Sequence, residues 1–281
     1  MRATKVRASG TVILVLAALL GSAYALGRSL VPEQPQRSNG VTASRNQQHY
    51  AEQPPATDFP APATVSPSRS AEPQQAGGDG DGPDGSWITT GTSRVALTFD
   101  DGPDPQYTPQ VLALLNEYGV KATFCVVGQN AQEHPDLIQA IVAEGHTVCN
   151  HSWSHDVDLG SRSPDTIRAD LLRTSDAIRA AVPNARIAYF RQPGGNWTHP
   201  VVSVAEELGM TPLHWAVDPT DWQLPGPQKI ITTVLTETRP GSIVLMHDAG
   251  GDRSGTVAAL HYLLPALLDR FQLEALPTGT T

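Results

Sequence analysis

Two histidines four positions apart, His151 and His155, are the first candidates for metal ligands in this sequence. On a helix or in a tight turn, residues i and i+4 face the same way, so both imidazoles could reach one cation. Asp101 could add a carboxylate oxygen. Two histidines and one carboxylate form an open site that suits zinc or a similar divalent ion, which activates water and polarises a carbonyl group. A pair of exposed helix histidines is the alternative interpretation of the spacing.

Asp100 stands next to Asp101, directly after an apolar segment that predicts a buried strand. Two adjacent acids in that place are costly unless one of them is paired or bound to a metal. We therefore expect Asp101 to bind the ion and Asp100 to take a proton from the attacking water. A solvated Asp-Gly-Pro turn is the alternative.

Alternating strand and helix patterns must position these residues. Strands are predicted at 94–99, 122–127, 146–149, 187–190, 211–215, 242–246 and 272–276. Helices are predicted at 108–118, 135–144, 164–181, 199–208, 226–238 and 255–271. Repeated βα units indicate a parallel sheet covered by helices. Seven strands predict an α/β fold, a distorted (β/α)7 TIM-like barrel that is smaller than the typical barrel of ~250 residues.

Polar segments follow five of the predicted strands. They are DD, NHSWSH, RQPGGNW, DPTDW and HD. In barrels of this class, functional residues collect at the carboxyl ends of the strands. Asp, Gly and Pro are common in any loop. Their general frequency in loops explains a single such segment, but it explains less easily why all five strand ends carry one. The pattern therefore predicts a single site built from five strand ends.

The amino end of the chain has a different composition. Residues 1–27 begin with basic residues, continue into an uncharged and mostly apolar stretch at 11–27, and contain Ala-Tyr-Ala at 23–25. This pattern predicts a signal peptide or an N-terminal membrane anchor through residues 11–27. We therefore expect a protein that is secreted or held at the extracellular face of the cell membrane. Residues 28–93 are rich in proline and glycine and predict a disordered linker or tether.

The net charge of the chain limits the classes of partner that can be expected. It has 19 Lys and Arg against 28 Asp and Glu, a formal net charge of −9. A nucleic-acid binder needs a basic face, so nucleic acid is not an expected partner. The acidic balance leaves neutral or cationic sugars open as ligands.

Five segments together resemble a known family. LTFDDGP (97–103), NHSWSH (150–155), FRQPGG (190–195), DPTDW (218–222) and LMH (245–247) resemble, in order, the motifs of the polysaccharide deacetylases, the NodB-homology family or carbohydrate esterase family 4. The resemblance implies a NodB-like catalytic domain at 94–281. It would be a metal-dependent hydrolase that removes acetyl groups from N-acetylated, or O-acetylated, polysaccharide such as peptidoglycan or chitin oligomers. A non-catalytic, cell-wall glycan-binding module on a tether is the alternative.

The resemblance also implies roles for the polar residues. Asp100 is expected to be the general base and Arg191 to orient it. His247 is expected to be the general acid, tuned by Asp221. An acetylated polysaccharide is the expected partner of this constellation, and the protein is expected to be a monomer.

The same resemblance implies the metal and the pocket. The expected ligands are Asp101, His151 and His155, with zinc as the metal and cobalt or nickel as the alternatives. Trp222 and Leu245 would form the walls of the acetyl pocket, and the backbone N–H of Gly194 would stabilise the oxyanion. Gly194 stands where the third motif often has an aromatic residue, and Tyr189 where that motif often begins with Arg. Substrate preference therefore stays open.

The sequence leaves two interpretations open for its pair of cysteines and two for each of two tryptophans. Cys125 and Cys149 lie in predicted strands, and in an exported protein they could form a disulfide or pack as small buried thiols. Trp153 and Trp197 flank the predicted site in sequence. Either could stack on a sugar ring or pack in the core.

Overall fold

The computed structural model describes residues 80–278. The predicted signal or anchor segment, 1–27, and the predicted linker up to residue 79 lie outside this part of the chain. Within residues 80–278, no helix is both long enough and apolar enough to cross a membrane.

A six-stranded parallel sheet forms the centre of the described part. Its strands are β1 (Ala96–Asp100), β2 (Thr123–Val126), β3 (Thr147–Asn150), β4 (Tyr189–Phe190), β5 (Thr211–Pro212) and β6 (Ile243–His247). Their order is β5-β4-β3-β2-β1-β6. All but Thr211 of their residues are buried, as expected for parallel strands covered on both faces. The sheet curls into a half-barrel, and the predicted α/β barrel class is confirmed.

Seven α-helices cover the sheet within residues 80–278. They are α1 (Thr108–Glu117), α2 (Gly128–Glu133), α3 (Pro135–Ala143), α4 (Pro164–Ala181), α5 (His199–Glu207), α6 (Pro227–Glu237) and α7 (Ser254–Leu268). Helix α4 has the predicted bounds, because Ser163 caps it by accepting the Thr166 N–H and its apolar residues repeat with helical spacing. Helix α2 was not predicted, since its six residues, GQNAQE, carry no apolar period.

The open edges of the sheet, β5 and β6, are linked by a segment that precedes β1. Trp87 forms a parallel bridge with Leu213, and Thr89 forms an antiparallel bridge with Ser242. Ser86 and Thr90 are buried. The predicted linker boundary at residue 93 is therefore too late, because 86–90 belong to the folded domain. Residues 86–90 join the domain through backbone pairing with strands that are distant in the sequence. Such pairing leaves no periodic pattern of side chains from which it could be predicted.

The seventh predicted strand, 272–276, is not a strand in the structure. Its pairing is limited to one parallel bridge between Leu273 and Val95. β1 pairs with β6 from Ala96 onward and with β2 from Thr98 onward, and the last segment pairs at Val95, just before β1 begins. Leu276 is nevertheless buried and packs inside the curl.

Two apolar clusters hold the domain together. The larger lies between sheet and helices and includes Phe99 and Phe124, whose rings stack at 5.2 Å. The smaller lies inside the curl and includes Ala96 and Leu213. Because side chains alternate along a strand, Asp100 shares the inner face of β1 with Ala96. The alternation therefore directs Asp100 into the half-barrel.

Cys125 and Cys149 form a disulfide within the inner cluster. They stand opposite each other in the register of β2 and β3. Of the two interpretations open from the sequence, the structure has the disulfide.

We expect the double substitution of Cys125 and Cys149 by alanine to lower the free energy of unfolding by about 3 kcal/mol. The bond closes a loop across a sequence separation of 24 and restricts the unfolded chain. Denaturant unfolding of the variant and of the oxidised parent measures the difference. Two thiols that react with an alkylating agent in the unfolded, unreduced parent would contradict the pairing.

Candidate active site

The register of the sheet brings the five polar segments to one edge. Asp100 and His247 are direct Cα partners at the ends of β1 and β6. Asn150 and Phe190 are partners at the ends of β3 and β4, so the residues that follow them, His151 and Arg191, emerge side by side. The predicted gathering of strand ends is therefore present in the structure.

The three predicted metal ligands converge at this edge. One ligand atom each from Asp101, His151 and His155 lies within 4.8 Å of the others. Asp101 Oδ1 is 3.5 Å from His151 Nε2 and 3.4 Å from His155 Nε2. The histidines lie in a loop and not on a helix, and left-handed φ angles of 64° at Ser152 and 56° at His155 turn the chain so that both rings meet. Such backbone conformations are costly for residues with a Cβ and cluster at functional sites.

The polar atoms of this cluster fit a divalent cation. Asp101 Oδ1 is buried but has no hydrogen-bond partner among the described residues. His151 Nδ1 donates to the Arg191 carbonyl at 2.8 Å, which leaves the lone pair of Nε2 directed at the cluster. Burial lowers the pKa of His151, but the charges of Asp100 and Asp101 outweigh it and raise the pKa. The same negative potential favours a metal ion.

Asp100 is held by a buried arginine. Arg191 is fully buried and donates from Nη1 to Asp100 Oδ1 at 2.7 Å and to Thr98 Oγ1 at 2.9 Å. Its Nε and Nη2 donate to the carbonyls of Leu213 and His214. Asp100 Oδ2 lies 3.6 Å from His151 Nε2. One carboxylate oxygen is thus fixed by Arg191, and the other stands beside the metal cluster.

His247 forms a second buried pair with Asp221. Its Nδ1 donates to Asp221 Oδ1 at 2.7 Å, and its backbone N–H donates to Oδ2 at 2.9 Å. Thr256 Oγ1 donates to the same Oδ2 at 2.7 Å. Burial lowers the pKa of His247, but the hydrogen bond and charge of Asp221, with the charges of Asp100 and Asp101, raise it to about 9. The ring is therefore protonated at neutral pH and can donate a proton from Nε2.

A cavity of about 420 Å³ opens onto these groups. Its lining residues are Asp100, Asp101, His151, His155, Gly194, Trp215, Asp218, Trp222, Leu245, His247, Gly250 and Arg253. Two of the predicted site residues, Arg191 and Asp221, do not line the cavity. Arg191 contacts Asp100 on the side away from the cavity, and Asp221 contacts His247 in the same way. Gly194 has a φ of +63°, and its N–H has no acceptor among residues 80–278. Leu245 is 3% exposed and Trp222 is 50% exposed.

Several residues of the site were missed in the sequence. Trp215 lines the cavity and stacks on His214 at 3.9 Å, whereas Trp197 is buried against Phe190 and Trp153 lies beneath a guanidinium group outside the cavity. Thr256, in the first turn of α7, and Arg253, just before that helix, contact Asp221. Their position shortly after His247, beyond a strand end, is the signal that could have identified them.

Comparisons with known proteins agree with this geometry. The family model described as "Polysaccharide deacetylase" matches residues 88–213. A chitooligosaccharide deacetylase of Bradyrhizobium sp. (strain ANU 289) is 44% identical over 200 residues, 67% of this chain and 91% of that protein. The chain belongs to the polysaccharide deacetylase family.

Two solved structures of family members are similar to this polysaccharide deacetylase domain. A peptidoglycan N-acetylglucosamine deacetylase superposes with a TM-score of 0.63 at 33% identity, over 66% of this chain and 87% of that one. A pseudoenzyme of carbohydrate esterase family 4 from Bacillus anthracis superposes with a TM-score of 0.61 at 30% identity, over 66% of this chain and 64% of that one. Because one of these two is a pseudoenzyme, the fold alone does not establish activity. The activity depends on the residues of the site.

We expect His247 of the metal-free protein to titrate near pH 9 and the Asp221→Asn variant to titrate well below that value. The substitution removes the charge that opposes burial. Since the folded pKa exceeds the ordinary value of about 6.5, the stability contributed by the imidazolium is complete below about pH 6.5 and is lost as the pH rises through about 9. NMR titration of the imidazole measures the change, and unfolding at the two pH values measures the linkage.

Asp218→Asn is the matched control, because Asp218 lines the same cavity but accepts its hydrogen bond from the Thr220 N–H. It should leave the titration of His247 near pH 9. A parent protein whose His247 titrates near pH 6.5 would contradict the assignment.

Proposed function

We propose that this protein is a metal-dependent deacetylase that hydrolyses the N-acetyl groups of polysaccharide. The observation that carries the proposal is the convergence, in one cavity, of a metal-ligand set with a separate carboxylate, Asp100, and a separate protonated histidine, His247. Amide hydrolysis needs an activated water, a stabilised oxyanion and a proton for the leaving amine. A glycan-binding module needs aromatic surfaces but has no use for this combination.

Asp100 is assigned as the general base. Its Oδ2 is free of Arg191 and can accept a proton from the water that attacks the acetyl carbonyl. Arg191 keeps the carboxylate oriented through its hydrogen bond to Oδ1. A cation bound by Asp101, His151 and His155 would lower the pKa of that water and polarise the carbonyl.

His247 is assigned as the general acid. As the bond between the acetyl carbon and the sugar nitrogen breaks, His247 Nε2 gives its proton to the nitrogen, and acetate and a free amine are the products. Asp221 keeps the ring charged and fixes its orientation. Gly194 lines the cavity, and its N–H is assigned as the donor to the carbonyl oxygen as that oxygen gains negative charge.

Zinc is the metal that we propose, with cobalt and nickel as alternatives. Two imidazoles and one carboxylate form a set of nitrogen and oxygen donors that leaves coordination positions for water and substrate. Calcium and magnesium are disfavoured, because they prefer sites made of oxygen ligands.

We propose N-acetylglucosamine polymers, chitin oligomers or peptidoglycan, as the substrate class, with O-acetylated polysaccharide as the second candidate. The names of two similar proteins, a chitooligosaccharide deacetylase and a peptidoglycan N-acetylglucosamine deacetylase, support this class. Wall glycans lie outside the cytoplasm, which agrees with the export predicted from residues 1–27. Secretion or attachment to the extracellular face, and action as a monomer, are part of the proposal.

We expect the purified protein to release acetate from N-acetylglucosamine oligomers. A chelator should abolish the release, and zinc added afterwards should restore it, because the two histidines and Asp101 have to hold the cation. Acetate measured by a coupled assay, with acetylated xylan as the second substrate, distinguishes the candidates.

Release from acetylated xylan without release from the oligomers would move the assignment to an O-acetyl esterase. Binding of oligomers without acetate release from either substrate, at saturating zinc, would instead support the glycan-binding module.

We expect Asp100→Asn to reduce turnover by about 10²–10⁴-fold while zinc binding is retained. The substitution removes the base but leaves all three metal ligands in place. Asp101→Asn is the matched comparison and should lose zinc affinity together with turnover. Zinc content by elemental analysis and the rate of acetate release separate the two effects, and an Asp100→Asn protein with parental turnover would refute the base assignment.

A further inference from the structure

Arg253 is a buried cation for which neither the sequence nor the proposed reaction accounts. It lies between β6 and α7, is 3% exposed and forms part of the cavity wall. Within residues 80–278, no carboxylate forms an ion pair with its guanidinium group, and its Nε has no hydrogen-bond partner. A buried charge without a counter-ion is costly. Its position therefore needs a reason beyond local packing.

The guanidinium instead joins two backbone carbonyls. Nη1 donates to the carbonyl of Asp221 at 3.1 Å, and Nη2 donates to the carbonyl of Gly250 at 3.0 Å. Asp221 is the residue that holds His247. Arg253 thus contacts the segment behind the proton donor with one nitrogen and a different loop with the other.

Gly250 belongs to the metal side of the cavity. It has a φ of +76°, and a Cβ at this position would collide with Asp101 Oδ2. The close approach means that the position of the Gly250 backbone limits the position of the Asp101 carboxylate. By holding the Gly250 carbonyl, Arg253 therefore influences the position of Asp101, a predicted metal ligand that it does not contact directly.

We propose that Arg253 is a positioning residue that sets the spacing between the metal-binding corner and the His247 proton donor. The planar guanidinium presents its two N–H groups in a fixed fork, so it fixes the distance between the two carbonyls. A lysine has a single nitrogen at the end of a flexible chain and cannot fix that distance. The inference rests on the proposed function, because it concerns the geometry of that reaction.

Thr256 provides the comparison that separates this role from simple support of Asp221. Its hydroxyl donates to Asp221 Oδ2, and none of its side-chain hydrogen bonds within residues 80–278 is to Gly250. Loss of Thr256 should therefore affect the acid side alone. Arg94, an exposed arginine paired with Glu274, is the control for loss of a guanidinium elsewhere.

The experiment compares Arg253→Met, Arg253→Lys, Thr256→Val and Arg94→Met with the parent. Zinc affinity of the metal-free proteins is measured by competition with a chromophoric chelator, which needs no turnover. The kcat and KM for N-acetylglucosamine oligomers are then measured at saturating zinc, and circular dichroism checks folding.

Arg253→Met should weaken zinc binding roughly 10-fold and lower kcat about 10–100-fold, with a smaller change in KM. Arg253→Lys should recover part of either loss, because one amine can reach only one carbonyl at a time. Thr256→Val should lower kcat and leave zinc affinity unchanged. Arg94→Met should change neither.

Parental zinc affinity or parental kcat in a folded Arg253→Met protein would overturn the proposal. If that variant does not fold, Arg253→Lys decides, because parental values of both quantities would show that the fork is not needed. An inactive parent would contradict the proposed function instead, and the zinc affinities would still decide whether Arg253 reaches the metal corner.

Discussion

Buried negative charge at the carboxyl edge of the sheet is the constraint on which the rest of the site depends. Three buried carboxyl groups lie there, those of Asp100, Asp221 and Asp248, together with the partly buried Asp101. Each is too costly to bury alone, and each has a different partner. Asp100 has Arg191, Asp221 has His247, and Asp101 has the two histidines with which it forms the candidate cation site. Asp248 has no cation, so burial, opposed by the hydrogen bond from Thr108 and reinforced by the charges of Asp101 and Asp100, raises its pKa to about 7.

The parallel sheet turns distances along the chain into proximity in space. Asp100 and His247 are far apart in sequence but directly opposite in register. Because every parallel strand ends at the same edge, five separate segments can contribute single residues to one cavity without a long loop. This is why apolar strand patterns followed by polar residues were enough to predict the barrel class and to gather Asp100, Asp101 and the histidines at one place. The local sequence pattern determines where each strand ends, and the parallel topology then brings the residues that follow the strands to one edge of the sheet.

The features that the sequence did not predict depend on pairings between distant backbones. Trp87 and Thr89 close the gap between β5 and β6 through hydrogen bonds that any residue could make, so composition suggested a linker instead. Leu273 forms one bridge with Val95, just before β1 begins, and the last segment does not become a seventh strand. The two histidines meet through left-handed turns and not through a helix, although the four-residue spacing is the same in both cases. Spacing can indicate that two side chains meet, but it does not reveal the backbone that brings them together.

The cavity has both a buried and an exposed apolar residue on its wall. Leu245 is almost fully buried on its wall, whereas Trp222 has half of its surface exposed. An acetyl methyl group is small and apolar and suits a buried aliphatic wall, while a sugar ring is larger and amphipathic and suits an exposed indole face. Gly194 also lines the cavity without adding a side chain, and the nearest atom to a Cβ there would belong to the exposed Val157 at 3.4 Å. A buried aliphatic side chain and an exposed indole on one cavity wall are what the proposed substrate, an acetylated polysaccharide, would need.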